Sequence, residues 1–421
     1  MTEPSTRPTS PWVFAPLMLP FGAAVGYLQI AAPFWLRASG VSLVDIGAVS
    51  AVAFQPHALK ILWVPLLDVG PHRKLWYGLA VVATAALLAS LALLGDPGAH
   101  LGLFTLLVTA AQVTASTSSA AVNALSAITT RGGDKGRAGG WLMAGNVGGT
   151  GILGALALFL ATRATPATAG LVLGGVVLAS GSFVLLVEEP RLEEVVAGAR
   201  GLGAALAARF AAVLRDLWAT ARSRDGFTGV LICLAPVGCG AMTNLFSGIA
   251  ADYHAPQRLV ETVNGLGGGV ASALGAVTGG RVADRMNRRI AYGLAGGATA
   301  LVAVAMLAAP MTAVTYAWGT LAYSFVNGIA FAAWAGMVLE LVGHSAGVAT
   351  KYALFTATSN QAISYVTWLD GKASDWHGAG ARGALAFDAA VTFAGLALLL
   401  AIVVGARRAR GPTAAPARSR R

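Results

Sequence analysis

Gly280-Arg281-Val282-Ala283-Asp284-Arg285-Met286-Asn287-Arg288-Arg289 separates two apolar segments in the second half of the chain. A weaker copy, Asp68-Val69-Gly70-Pro71-His72-Arg73-Lys74, fills the equivalent gap in the first half. Placing Asp68 over Asp284 also places Arg73 over Arg289 and His72 over Arg288. A chain that repeats an acidic-then-basic loop once per half reads as two homologous helical bundles in tandem. Parallel repeats of this kind build secondary transporters, so the loop bears on function as well as fold.

The 421 residues are 56% hydrophobic and 11% charged, against roughly 25% charged residues in soluble domains. With a mean hydropathy of +0.69, too little polar surface remains for a soluble globule, and the reading is an all-α integral membrane protein. The 53 glycines suit helices that approach closely in lipid, where apolar burial supplies no drive. Cys233 and Cys239 share one apolar segment and imply neither a disulfide framework nor a metal site. The stretch before Pro11 lacks the pattern of a cleaved signal peptide, so the first apolar segment is expected to stay in the mature protein.

An apolar run of about 20 residues spans the hydrocarbon core as a helix. Twelve such transmembrane helices are predicted, near 12–36, 43–67, 74–95, 100–127, 138–162 and 167–187, then 226–251, 260–280, 290–309, 313–341, 349–369 and 383–405. They form two six-helix bundles, 1–187 and 226–405, joined by a linker over 188–225 and followed by a basic tail over 406–421. Arg7, Arg73, Lys74, Arg131, Lys135, Arg137, the Arg281–Arg289 group, Lys351 and the tail all fall on one side. By the positive-inside rule that side is the cytoplasm, with both termini and the linker. The net charge of +11 is thus a topology signal rather than a sign of nucleic acid. In the linker Leu202, Leu206, Phe210, Leu214 and Leu217 recur at helical spacing among Arg200, Arg209 and Arg215. An amphipathic interfacial helix is expected there, as a tether or as a docking site.

Ionisable groups at membrane depth usually face a bundle interior or a wet cavity. His57 and Lys60 share a face of the second span and read as a cationic lining for an anionic substrate; the bland alternative has Lys60 snorkelling to the interface. Gln112, Ser116, Ser119 and Asn123 form a stripe on the fourth span. Thr356, Asn360, Ser364 and Thr367, flanked by Gln361 and Tyr365, form another on the eleventh. Such stripes line a path or glue helices together by hydrogen bonds. Gln29, Asn146, Asn244, Asn264 and Asn327 are weaker candidates, and Trp334 and Tyr323 read as packing. Asp45, Glu340 and Asp388 lie near predicted helix ends, where solvent reaches them, so proton coupling would fall to one of these or to His57, whose ordinary titration range suits a switch.

The second span ends in Gln55-Pro56-His57-Ala58-Leu59-Lys60-Ile61-Leu62-Trp63-Val64-Pro65-Leu66-Leu67-Asp68. This resembles the Leu-Lys-x-x-Trp-x-Pro-x-x-Asp signature of AmpG-type muropeptide permeases and acetyl-CoA transporters, a group within the major facilitator superfamily. Leu19-Pro20-Phe21-Gly22, Gly40-Val41-Ser42 with Ile46-Gly47, and Ala349-Thr350-Lys351-Tyr352-Ala353-Leu354-Phe355 are similar to the same group. Where relatives carry two acids four apart late in the fourth span, this chain has Ser119 and Asn123. The resemblance implies that the repeated loop latches one bundle to the other. Asp68 is then expected near Thr350 and Asp284 near Gly139, where helix dipoles favour negative charge. Arg73, Arg285, Arg288 and Arg289 are expected to hold the loops.

The expected function is movement of a small polar or anionic organic solute, muropeptide-, siderophore- or acyl-CoA-like, across the cytoplasmic (inner) membrane by a monomer using alternating access. No phosphate-binding glycine loop or nucleophile–base arrangement is evident, so neither an enzyme nor a cofactor is expected. A non-transporting membrane scaffold or sensor that keeps the fold is the alternative.

Overall fold

The computed structural model describes residues 8–69, 72–189, 202–343 and 347–408, and every regular element among them is helical. The sequence-predicted tail and Arg200 lie outside the described residues. Twelve passages follow in order. In the first half they are Pro11–Ala38, the broken passage 43–69, Arg73–Ala92, Leu101–Thr129, Gly132–Arg163 and 166–186. After a linker helix, Leu202–Arg222, come the broken passage 224–253, then 257–285, Arg288–Ala308, Ala313–Val342, Val348–Asp375 and Gly380–Arg408. Among the described residues, eight helices are long and apolar enough to cross a membrane. The second, seventh, eighth and eleventh passages are those that fall short, through breaks or through polar residues on their inner faces.

Each half packs chiefly within itself, and the halves meet where the fifth passage packs on the eighth and tenth, and the eleventh on the second and fourth. The fifth–eighth contact is backbone on backbone. A Cβ at Gly280 would lie 2.7 Å from the Gly136 carbonyl oxygen and 3.0 Å from the Gly140 Cα. Further along, Gly151 meets Gly269 in the same way. Small residues permit this approach, which stands in for interdigitated side chains.

Three passages contain a π turn, at Tyr27–Ala31, Ala144–Gly148 and Val263–Gly267. Such bulges rotate the residues they contain off the regular helical face. The second passage ends its α-helix at Leu59, runs as a tight turn over Lys60–Leu62 and restarts at Pro65. Proline lacks the N–H that would continue the ladder and suits a first helical turn.

The seventh passage corrects the continuous helix expected over 226–251. Its first helix ends at Leu234 and regular structure resumes at Ala241. Gly238 and Gly240 take φ of +56° and +71° between them, a region that glycine enters without strain. The Tyr292 hydroxyl donates to the freed Val237 carbonyl.

Candidate functional site

A cavity of about 670 Å³ lies between the halves. The first half supplies Phe21, Gln29, Phe54, His57, Lys60, Ser119, Asn123, Asn146 and Thr150. From the second half come Thr243, Asn244, Phe331, Trp334, Tyr352, Thr356, Asn360, Gln361 and Ser364. Among the described residues, no acidic side chain lines it. Towards one end Gln29, Asn244, Gln361 and Ser364 are exposed, whereas Asp68, Lys135, Thr350 and Lys351 at the other are buried. The cavity is open at the first end and closed at the second.

His57 stands between Phe21 and Phe54, each ring centroid 5.4 Å from its own. Its Nε2 lies 3.0 Å from Gln112 Oε1, and the Gln112 amide donates to the Ala24 carbonyl at 2.8 Å. With the amide so oriented, Nε2 is the ring's donor, and Nδ1 is the nitrogen left for other contacts. Lys60 is 6% exposed and forms no ion pair among the described residues. Its ammonium therefore belongs to the cavity wall rather than to the interface. Asn123 Oδ1 and the Tyr352 hydroxyl are buried without hydrogen-bond partners, and both residues line the cavity. Unsatisfied groups of this kind are where a polar solute gains specific contacts.

Of the sequence candidates, His57, Lys60, Ser119, Asn123, Asn360 and Gln361 share this cavity. Gln112 and Tyr365 do not. Gln112 is wholly buried behind His57, and the Tyr365 hydroxyl donates to the Leu234 carbonyl at 2.9 Å. Both bond to a neighbouring helix, because a polar stripe contains residues that face other helices as well as those facing a path. The π turns bring Gln29 and Asn146 onto the wall, a rotation the regular helical spacing gives no sign of. Trp334, read from sequence as packing, lines the cavity with its indole N–H donated to Cys233 Sγ at 3.3 Å.

The closed end is held by two carboxylates at helix starts. Asp68 accepts from the Ala349 and Thr350 backbone N–H groups at 3.0 and 2.9 Å and from the Thr350 hydroxyl at 2.8 Å. Arg73 pairs with it at 3.0 Å, both groups being buried, and Glu189 takes the Arg73 backbone N–H. Asp284 accepts from the Gly136 and Arg137 N–H groups at 2.6 and 2.9 Å. These donors precede Gly139, since the helix begins at Lys135. The Lys135 ammonium crosses to the Leu339 carbonyl at 2.8 Å.

The arginines differ from expectation in one respect. Arg288, rather than the aligned Arg289, pairs with Asp284 at 3.0 Å and also donates to the Gly132 carbonyl and Glu340. Asn287 caps the next helix, so Arg288 starts a new turn beside Asp284. Arg289 contributes only its backbone N–H to that cap, and Arg285 is exposed with no ion pair among the described residues.

A third carboxylate at the closed end was not apparent from sequence. Asp216 of the linker helix accepts from the Gly347 N–H at 3.1 Å and from the Lys351 ammonium at 2.8 Å. The linker is thereby fastened to the start of the eleventh passage. Asp216→Ala should loosen it by about 1 kcal/mol, the scale of a partly exposed ion pair. Faster amide hydrogen exchange in Leu202–Arg222 would register this, and unchanged exchange would show that the pair holds nothing.

One acid departs from the sequence reading of solvated helix ends, and another joins it in the interior. Asp45 and Glu340 are exposed, but Asp388 is 1% exposed, and Asp370, which had not been singled out, is 0% exposed. Packing of the tenth to twelfth passages buries positions that lie near helix ends by number.

Comparison with known proteins agrees with this architecture. The family model described as Major Facilitator Superfamily matches residues 14–365. The chain belongs to the major facilitator superfamily: it is a multi-pass membrane protein with the fold of a secondary transporter. Among solved structures it is similar to the human organic anion transporter MFSD10, with TM-score 0.69 and 15% identity over 92% of this chain and 98% of that one. It is likewise similar to the proton:xylose symporter XylE bound to 6-bromo-6-deoxy-D-glucose, with TM-score 0.69 and 12% identity over 94% of each chain. The transporter FucP in the outward conformation gives TM-score 0.64 and 16% identity over 92% of this chain and 98% of that one. At these identities the likeness is one of fold. No curated protein sequence matches the chain.

Proposed function

We propose that this protein carries a small organic anion through the central cavity by alternating access. One observation carries the reading: the Lys60 ammonium stands on a cavity wall that contains no carboxylate, with no ion-pair partner among the described residues. A buried cation without an anion is costly, and a bound anionic group removes that cost. Aromatic Phe21, Phe54, Phe331 and Trp334 around it supply apolar walls, and Asn123, Asn146, Asn360 and Gln361 supply the few polar groups that orient a solute.

The stretch that resembles the muropeptide and acetyl-CoA permeases contributes His57 and Lys60 to the cavity and Asp68 to the latch. The solute class that fits is therefore a muropeptide-, siderophore- or acyl-CoA-like anion. The positive-inside pattern supports a cytoplasmic latched end, and with that orientation this is an outward-open state. MFSD10 is described as an organic anion transporter, but Lys60 and not that likeness supports the reading here.

A panel of solutes tests it by thermal stability of the purified protein in lipid. A ligand at a hundred times its Kd stabilises the folded state by about 2.7 kcal/mol. An anhydro-muropeptide or a comparable carboxylate should raise Tm, while a neutral glycoside of similar size should not. Equal stabilisation by the neutral compound, or none by any anion, would remove the proposal.

A further inference from the structure

Asp370 lies five residues before the end of the eleventh passage, and Asp388 eight residues beyond the start of the twelfth. Both are buried, and neither lines the central cavity. Asp388 Oδ2 accepts from the Tyr323 hydroxyl at 3.1 Å. Among the described residues its Oδ1 has no hydrogen-bond partner, and neither does either oxygen of Asp370. Native interiors rarely leave carboxylate oxygens in this condition, and a group left so calls for an unseen partner.

The surroundings narrow that partner. The eleventh and twelfth passages, which carry the two carboxylates, pack against each other. The tenth passage adds Tyr323, and the broken stretch of the seventh packs Cys239 against Ala362 and Val366 of the eleventh. The ninth adds Tyr292, which bonds the Val237 carbonyl and neighbours Cys239. No Lys, Arg or His forms an ion pair with either acid among the described residues. Nor do the described residues contain a group of three or more metal-ligating side chains. A hard metal cation asks for roughly six oxygen ligands, and one phenol with two carboxylates falls short. Two buried carboxylates with no ion-pair partner among the described residues are not both kept ionised in an apolar site. A proton is the cation that this geometry accommodates.

We propose that Asp370 and Asp388 form a proton-binding site within the second bundle, apart from the solute cavity. Asp370, with no donor to hold a negative charge, takes the proton; Asp388 keeps its charge against the Tyr323 hydroxyl. The site is read from burial and hydrogen bonding, and it does not rest on which solute the cavity carries.

Infrared spectroscopy of the full chain in lipid tests this without any solute. The protein should show a carboxylic acid C=O band at neutral pH that moves when aspartate carboxyl carbons are ¹³C-labelled. Asp370→Asn should remove the band, and Asp388→Asn should leave it. Should Asp370→Asn fail to fold, Asp370→Glu gives the same information: its band should no longer respond to labelled aspartate. Adding sodium at constant pH should leave the wild-type band in place. A wild-type spectrum without the band, a band untouched in the Asp370 variants, or its loss on adding sodium would each overturn the assignment.

Discussion

Asp68→Asn is expected to shift the balance towards opening at the latched end by about a hundredfold. Asp68 is 6% exposed and collects two backbone N–H groups, a hydroxyl and the Arg73 guanidinium. The amide keeps the shape but has a single acceptor oxygen and no charge. It leaves Arg73, 1% exposed, as a buried cation facing an amide. Breaking a buried pair by removing one partner costs about 3 kcal/mol or more, and each 1.4 kcal/mol is roughly tenfold in population. The Arg73 pair lies within the first bundle and weighs on both states; the closed state alone loses the bonds from Ala349 and Thr350 of the opposite bundle, and hydrogen bonds to a charged group contribute about 1.5–3 kcal/mol each. Spin labels at His72 and Met286, exposed positions on opposite halves, should report a longer separation. Asp284→Asn should act in the same direction but more weakly, about 1 kcal/mol or roughly fivefold, since its ion pairs are partly exposed. An unchanged distance distribution in Asp68→Asn would mean that the carboxylate decorates the closed end without holding it.

Lys60→Ala is the second large effect. If the ammonium meets an anionic group of the solute, its loss removes a charge-assisted contact in a largely desolvated site, about 2 kcal/mol or roughly thirtyfold in Kd. The cavity does not collapse to compensate, since the side chain stands at a wall already shaped by the turn over Lys60–Leu62. Calorimetric titration with the anion that stabilises the wild type should show this weakening. Latch geometry should stay as it is in the same variant. Equal weakening for a neutral analogue would show that Lys60 only shapes the wall.

Much of the architecture is legible in the sequence because lipid imposes it. Apolar runs of spanning length, and basic residues gathered on one side, follow from the cost of exposing polar groups to hydrocarbon. The repeated acidic loop is legible for a related reason, as charge between two spans has few places to go. What escapes is local and depends on three dimensions. The seventh passage is apolar enough to read as one helix, yet Gly238 and Gly240 break it. Gln29 and Asn146 stand out in the sequence only as isolated polar residues, and both line the cavity from within π turns that leave no periodic trace. Arg288 and not Arg289 answers Asp284, because Asn287 fixes where the next helix begins. Asp370 and Asp388 count as terminal by number and are interior by packing, and numbering alone carries no information about which neighbour covers a residue.

The backbone-on-backbone contact between the fifth and eighth passages bears on speed. Meshed side chains must climb out of one another when two helices turn, and each disengagement adds to a barrier. Gly136, Gly140 and Gly151 facing Gly280 and Gly269 present almost nothing to mesh. That line works as a plain bearing, about which the halves roll at nearly constant contact. Resistance to turning is then expected at the charged helix starts and where the eleventh passage packs on the second and fourth, rather than along the glycine-lined contact.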